Sequence, residues 1–192
     1  MKIFFATQNE GKLWEAGRIL GPLGIEVVPV PVELSEPDAG TMEEVARIKL
    51  KQVMERGMTR VMVDDAGIYF AAYPQFPGVL TKRVFHRIGY RGVAKLLAGE
   101  SREAWFEGTV AVCWDGQIRT FSGVTRGRII ESISEKIRPE PGFPFDPIFV
   151  PEGEHRALNE MPVEDRLRYS YRRKALEKMA EWMRMVSAKD SQ

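Results

Sequence analysis

MKIFFATQNEGKLWEAGRIL, residues Met1–Leu20, changes its hydrophobic period once. Met1 to Ala6 is short, apolar and rich in Ile and Phe, as a strand buried on both faces requires. Beyond it Leu13, Ala16, Ile19 and Leu20 recur at helical spacing. The turn between them carries Thr7, Gln8, Asn9 and Lys12, all hydrogen-bond donors, where the unpaired N–H groups and positive dipole end of a helix gather. Such a turn suits an anion, most often a phosphate. It lacks the glycine spacing of either common phosphate loop, so capping of the helix by Thr7 or Asn9 explains the same residues.

Working outward, GIEVVPV reads as a second strand, followed by a Pro-rich loop and the helix TMEEVARIKLKQVMERG. Thr41 and Glu44 stand at capping-box spacing at the start of that helix. RVMVDDAGIYF begins as a strand over Arg60 to Val63 and meets two carboxylates and a glycine. The alternation of strand and helix to this point predicts an α/β fold with mixed or parallel pairing. A helix is expected from about Thr81 to Leu97. WFEGTVAVCWDG and QIRTFSGVTRGRII are then long strand-like runs joined at Asp115-Gly116, a hairpin signal. So long a hairpin predicts a sheet extension and a second lobe, with a cleft between the lobes. RPEPGFPFDPIFVPEG has too many prolines for regular structure and is expected to be a shaped loop. A last amphipathic helix is expected from about Tyr169 to Met185. The expected organisation is a single domain over 1–187, with a mixed central sheet and flanking helices, and a disordered tail over 188–192.

The chain has 192 residues, enough for one domain with a good core, and an ordinary hydrophobic fraction of 44%. Its 28 basic and 27 acidic residues nearly cancel, so no global field argues for a nucleic acid or membrane partner. The one cysteine, Cys113, excludes an internal disulfide framework and sits in an apolar run, as a buried structural thiol does. No apolar run is long enough to span a bilayer, and a cytoplasmic protein is expected.

Asp64 and Asp65 are read as ending a strand, where open α/β sheets place ligands. Adjacent carboxylates repel, a cost that a divalent cation or a shared proton offsets; an Asx-type turn at Asp-Ala-Gly accounts for them equally. On a strand only one of the two faces the cleft. Glu36, Asp38, Glu43 and Glu44 add carboxylates nearby, and oxygen donors without His or Cys point to magnesium. His86 and His155 have no partner at metal spacing and are expected at the surface. RLRYSYRRK interleaves Arg166, Arg168, Arg172, Arg173 and Lys174 with Tyr169 and Tyr171. That pattern could track a polynucleotide, or lend one or two residues to a small phosphate ligand; its shortness on a near-neutral protein favours the second.

Four segments, in order, resemble the inosine triphosphate pyrophosphatase family, hydrolases of non-canonical purine nucleoside triphosphates. TQNEGKLWE is similar to the family's Thr/Ser-x-Asn-x-x-Lys-x-x-Glu opening, DDAGI to Asp-Asp-Ser-Gly-Leu, GFPFDPIF to Gly-Phe-Gly-Tyr-Asp-Pro-Ile-Phe, and YSYRRKAL to Ser-His-Arg-x-x-Ala-Leu. The resemblance implies a mixed α/β fold with a central cleft, usually a homodimer, and magnesium-dependent release of pyrophosphate. Thr7, Gln8, Asn9, Glu10, Gly11 and Lys12 would then hold the phosphates, with Lys49 and Lys82 reaching them as well. Asp65 would be the general base, with Glu36 and Asp65 near the Mg2+ and Glu44 a second candidate ligand. Phe143 would stack on the purine, and Asp146, Arg166, Tyr171 and Arg172 would line the base edge.

This chain departs from the family pattern near the base. Ala66 replaces Ser beside the general base, Pro144 and Phe145 replace Gly and Tyr, Arg166 replaces Lys, and Tyr171 replaces His. The phosphate residues Asn9, Lys12 and Asp65 are kept. An alternative reading is therefore a nucleotide- or RNA-binding module of the same fold with altered turnover.

Overall fold

A computed structural model of the chain describes residues 1–134 and 136–189. Six strands, β1 (Lys2–Ala6), β2 (Glu26–Val30), β3 (Val61–Phe70), β4 (Glu103–Trp114), β5 (Gln117–Ile129) and β6 (Phe149–Pro151), form one sheet in the order β2-β1-β3-β4-β5-β6. β1 pairs in parallel with β2 and β3, and the remaining pairings are antiparallel. The fold is therefore the mixed α/β sheet expected. No helix among the described residues is long and apolar enough to cross a membrane.

Helices α1 (Glu10–Leu20) and α5 (Tyr171–Lys189) cover one face of the first lobe, and α2 (Met42–Met54) covers the other. Strand alternation sorts the core accordingly. Ile3, Phe5 and Met62 pack with Leu20, Leu176 and Met183, whereas Ala6, Val61 and Val63 pack with Ala46, Leu50 and Val53. In the second lobe Ile68, Phe70, Phe106, Phe145 and Phe149 pack with Val93 and Leu97 of and just beyond α3 (Thr81–Leu96).

β3 joins the two lobes. β1 pairs only with Val61 and Met62, and the strand then continues beside β4 as far as Phe70. Asp64 and Asp65 are thus mid-strand, opposite Val110 and Thr109, and Asp-Ala-Gly is not a turn. The strand end that opens the cleft belongs to β1, not to β3. β3 is buried along its length except at Asp65 and Ala66, where it surfaces in the cleft.

The hairpin turns at Asp115-Gly116 as expected, with both residues at positive φ (47° and 77°), the type I′ signature. The hairpin is the sheet extension expected: β4 lies beside β3 along its whole length, so the hairpin carries the sheet from one lobe into the other. α3 occupies the expected span but breaks at Gly89 (φ 55°, ψ −166°). A short helix, α4 (Val163–Arg168), precedes α5, which starts at Tyr171 and includes residues 188 and 189. The rest of the expected tail, 190–192, lies outside the described residues.

Candidate active site

The β1–α1 turn is held from within. Asn9 caps α1 by accepting from Lys12 N at 3.1 Å, and Asn9 N donates to Thr7 Oγ1 at 3.1 Å. Capping and a cradle of donors coexist, because the side chains fix the loop while the helix end faces the cleft. Lys12 Nζ donates to Asp64 Oδ1 at 2.9 Å, and Arg172 Nε donates to Asp64 Oδ2 at 2.7 Å. Arg172 also donates to Glu15, which accepts from the Ser170 hydroxyl. Asp64, Glu15 and Arg172 are all buried. Burial would raise the Asp64 carboxyl, but Lys12, Arg172 and Lys49 outweigh it and hold the group far below the usual carboxylate range.

Asp65 leaves β3 on the opposite face, toward α2. The ammonium of buried Lys49 lies 3.8 Å from Asp65 Oδ1, 3.1 Å from Glu36 Oε1 and 3.0 Å from the Asp64 carbonyl. Desolvation raises the Asp65 carboxyl above its ordinary value, with Lys49 and Lys12 opposing and Glu36 and Asp64 adding to the rise. Desolvation pushes the Glu36 carboxyl up too, but there Lys49, Lys12 and Lys82 prevail and lower it. The same carboxylates overcome burial at Lys49 and hold its ammonium proton more tightly. A carboxylate with raised basicity beside fixed cations is suited to taking a proton from water.

Among the described residues no group of three or more His, Cys, Asp or Glu side chains could hold a metal ion alone. Glu36 and Asp65 both line the cleft and both approach the Lys49 ammonium, so they supply two oxygen-bearing groups close together. This set fits magnesium, which is typically held by one or two carboxylates and completed by substrate phosphates and water.

The charged cleft, about 790 Å³, is lined by Thr7, Gln8, Asn9, Lys12, Glu36, Lys49, Asp65, Ala66 and Lys82 among others. A second recess of about 340 Å³ adjoins it, and Phe143, Asp146 and Tyr171 line both. Phe143 is presented by the turn Glu140-Pro141-Gly142-Phe143, closed by Phe143 N donating to Glu140 O at 2.9 Å, with Gly142 at φ 80°. Its ring lies against Gly11, where a Cβ would come within 2.4 Å of Phe143 Cε2; any larger residue would push the ring out. Tyr171 stacks on Phe106 with centroids 5.2 Å apart, and the Arg172 guanidinium sits 5.2 Å from the Tyr171 ring centroid. Removal from water, then the nearby Glu140, push the Asp146 carboxyl up to about 7, against the pull of Arg166 and Arg172. A charged cleft thus opens into an aromatic slot, the shape of a site for a phosphorylated ring compound.

Residues 3–182 match the sequence model of the Ham1 family. The chain belongs to the Ham1 family. It is 40% identical over 185 residues to a dITP/XTP pyrophosphatase of Thermococcus kodakarensis, covering 96% of this chain and 98% of that one. A dITP/XTP pyrophosphatase of Methanopyrus kandleri is 42% identical over 184 residues, covering 95% and 96%. Among solved structures, a HAM1 protein from Coxiella burnetii matches with a TM-score of 0.80 at 26% identity, over 96% of this chain and 99% of that one.

Within this Ham1-family fold the residues singled out from sequence separate by position. Thr7, Gln8, Asn9, Lys12, Glu36, Lys49, Asp65, Ala66, Lys82, Phe143, Pro144, Phe145, Asp146, Tyr171 and Arg172 all line the charged cleft. Gly11 and Arg166 line the aromatic recess, Arg166 being fixed by Glu140 at 2.7 Å and the Met161 carbonyl at 3.1 Å. Glu10 and Glu44 come to neither, nor do the further carboxylates Asp38 and Glu43. Glu10 is exposed as the first residue of α1, and Glu44 is spent on the capping box, accepting from Thr41 N at 2.7 Å. Phe145 touches the cleft but is essentially a core residue, edge-on to Phe70 and Phe85. His86 and His155 are exposed and Cys113 is buried, as expected. The basic run is dispersed: Arg172 is buried in ion pairs, Arg173 pairs with Glu177, and Lys174 donates to the Val124 carbonyl. Sequence reasoning missed Asp64 and Glu15 as the acceptors that organise Lys12 and Arg172. For Asp64 the signal was present, since adjacent strand carboxylates face opposite sides and each needs its own cation; Glu15, on α1, carried no such local signal.

Proposed function

We propose that the chain hydrolyses non-canonical purine nucleoside triphosphates, those of inosine, deoxyinosine and xanthosine, to the monophosphate and pyrophosphate. The observation that carries this reading is the junction at Phe143 of a cation-lined cleft, holding a carboxylate of raised basicity, with an aromatic slot. A ring that stacks on Phe143 leaves its phosphate chain among Lys12, Lys49 and Lys82. Asp65 accepts a proton as water attacks the α-phosphorus; the bond to the bridging oxygen breaks, and pyrophosphate leaves with that bond's electron pair. Lys12, drawn partly from Asp64, and Lys49 steady the oxygens on which charge grows. Glu36 and Asp65 would hold magnesium, which offsets negative charge on the phosphates. Asp146, Arg166, Tyr171 and Arg172 would meet the base edge. The resemblance also implies a cytoplasmic homodimer; sedimentation of the purified chain tests the assembly.

The test is a panel of nucleoside triphosphates assayed for pyrophosphate with and without magnesium. Inosine and xanthosine triphosphates are expected to be cleaved in preference to adenosine and guanosine triphosphates, and only with the metal. Release of orthophosphate alone, or equal rates across the panel, overturns the reading.

A further inference from the structure

Trp14 is half exposed (50%), yet it lines the aromatic recess together with Gly11 and Glu15 from the same side of α1. It stands three residues beyond the glycine on which Phe143 rests, so on a helix the two occupy neighbouring positions of one face. An indole that is left in water at the mouth of a recess, instead of being folded into the core, is available to a ligand. Its position is also braced. The Arg18 guanidinium lies 5.9 Å from the Trp14 ring centroid, and Arg18 is paired with Glu164 of α4. Val163 and Leu167 of that helix form the wall beside it. α1 and α4 are therefore tied together across the rim, with Trp14 on the recess side.

We infer that Trp14 is an outer stacking wall of the base slot, which discriminates bicyclic from monocyclic bases, and that Arg18 and Glu164 are positioning residues that hold the indole over the slot. The inference rests on the proposed function for the identity of the ring compound. Phe143 stands at the junction with the phosphate cleft, and any base whose sugar phosphate reaches Lys12 can touch it. Trp14 lies at the mouth, where only the far ring of a purine extends. Pyrimidines would leave it uncovered. Stacking on an aromatic face tolerates differences among purines, so Trp14 sets ring size and the polar residues set ring identity.

The test is equilibrium binding of inosine monophosphate and of pyrophosphate to the full chain, read by calorimetry, with tryptophan emission as a second signal. Trp14→Leu is expected to weaken inosine monophosphate about tenfold and leave pyrophosphate unchanged, with Trp14→Phe restoring most of the loss. Wild-type emission should shift on adding the nucleotide, and that of Trp14→Phe should not, although Trp105, Trp114 and Trp182 remain. Arg18→Ala should weaken the nucleotide in wild type but not in Trp14→Leu. In turnover, Trp14→Leu should raise KM for inosine triphosphate and leave a pyrimidine triphosphate's kcat/KM unaltered. Wild-type affinity in Trp14→Leu overturns the inference while the proposed function stands if pyrophosphate release continues. Absence of both purine binding and release in the wild type overturns both.

Discussion

Asp64 and Asp65 are neighbours in sequence and take different work because β3 sends them to opposite faces. Asp64 meets Lys12 and Arg172 and is locked as an anion; Asp65 meets Lys49 and stays more basic than an ordinary carboxylate. That only one of the pair serves the cleft was legible in the strand period. That the other is claimed by Arg172, far along the chain, was not, since no local pattern announces a contact between β3 and α5. Asp65→Asn is expected to lower kcat by about 10²–10⁴ while nucleotide affinity remains measurable, because the amide keeps its shape and loses its basicity. Wild-type turnover in that variant removes Asp65 as the base. Asp146 makes a separate prediction through pH. With its carboxyl pushed up to about 7, it can only accept above neutrality, and below neutrality it gains a donor beside its remaining acceptor. N1 of hypoxanthine bears a proton that an acceptor welcomes, whereas N1 of adenine wants a donor. The ratio of kcat/KM for inosine over adenosine triphosphate should therefore fall as pH drops from about 8 to about 6 through that pKa. Taking the ratio cancels the titration of the phosphates common to both substrates. Asp146→Asn should flatten the profile; an unchanged slope places the responsible group elsewhere.

Asp64 binds three elements together, since β3 supplies the carboxylate, α1 the lysine and α5 the arginine. Removing one member of a buried ion cluster leaves an uncompensated charge and costs about 3–5 kcal/mol. Asp64→Ala should thus lower the melting temperature at neutral pH and also weaken triphosphate binding, as Lys12 loses its tether. The sign with pH is fixed by the depressed Asp64 carboxyl: its stabilising contribution is present above the ordinary value of 3.8 and is lost as pH falls below it. The stability gap between wild type and Asp64→Ala should therefore keep its full width from neutrality down to about pH 3.8 and close only below that value. A gap that stays constant into acid would show that Asp64 acts through packing alone. α2 teaches the complementary lesson. Its capping box was readable from Thr41 and Glu44, and the same glutamate was also a metal candidate; the cap keeps it, because the first-turn geometry places its carboxylate on Thr41 N. Thr41→Ala should cost about 1 kcal/mol of stability and leave catalysis intact.

Across the whole molecule, the hairpin was legible from Asp115-Gly116, but its place in the sheet was not, because nothing in β4 or β5 states which strand lies beyond. Among the described residues the sheet instead leaves most of β5 as an edge: β6 pairs with it over Gly127–Ile129. Open edges invite pairing with another chain. Here α5 reaches over that edge with two lysines one turn apart, Lys174 donating to the Val124 carbonyl and Lys178 to the Ser122 carbonyl at 2.8 Å. Residues 122, 124 and 126 share one direction along the strand, and the Arg126 carbonyl, next in that series, does accept from the following strand's chain at Glu152 N. The lysines therefore occupy the acceptors that a further strand would use. Replacing both by Ala should leave activity at low concentration unchanged, since neither lysine lines the cleft or the recess. It should also produce higher-order species that grow with protein concentration, visible by light scattering. Either lysine alone should suffice for partial protection, as one charged cap already breaks the continuity of the edge. If the double variant scatters like wild type over the same concentrations and temperatures, the edge is protected by sheet twist and by the packing of α5 itself, and the two ammonium groups are incidental.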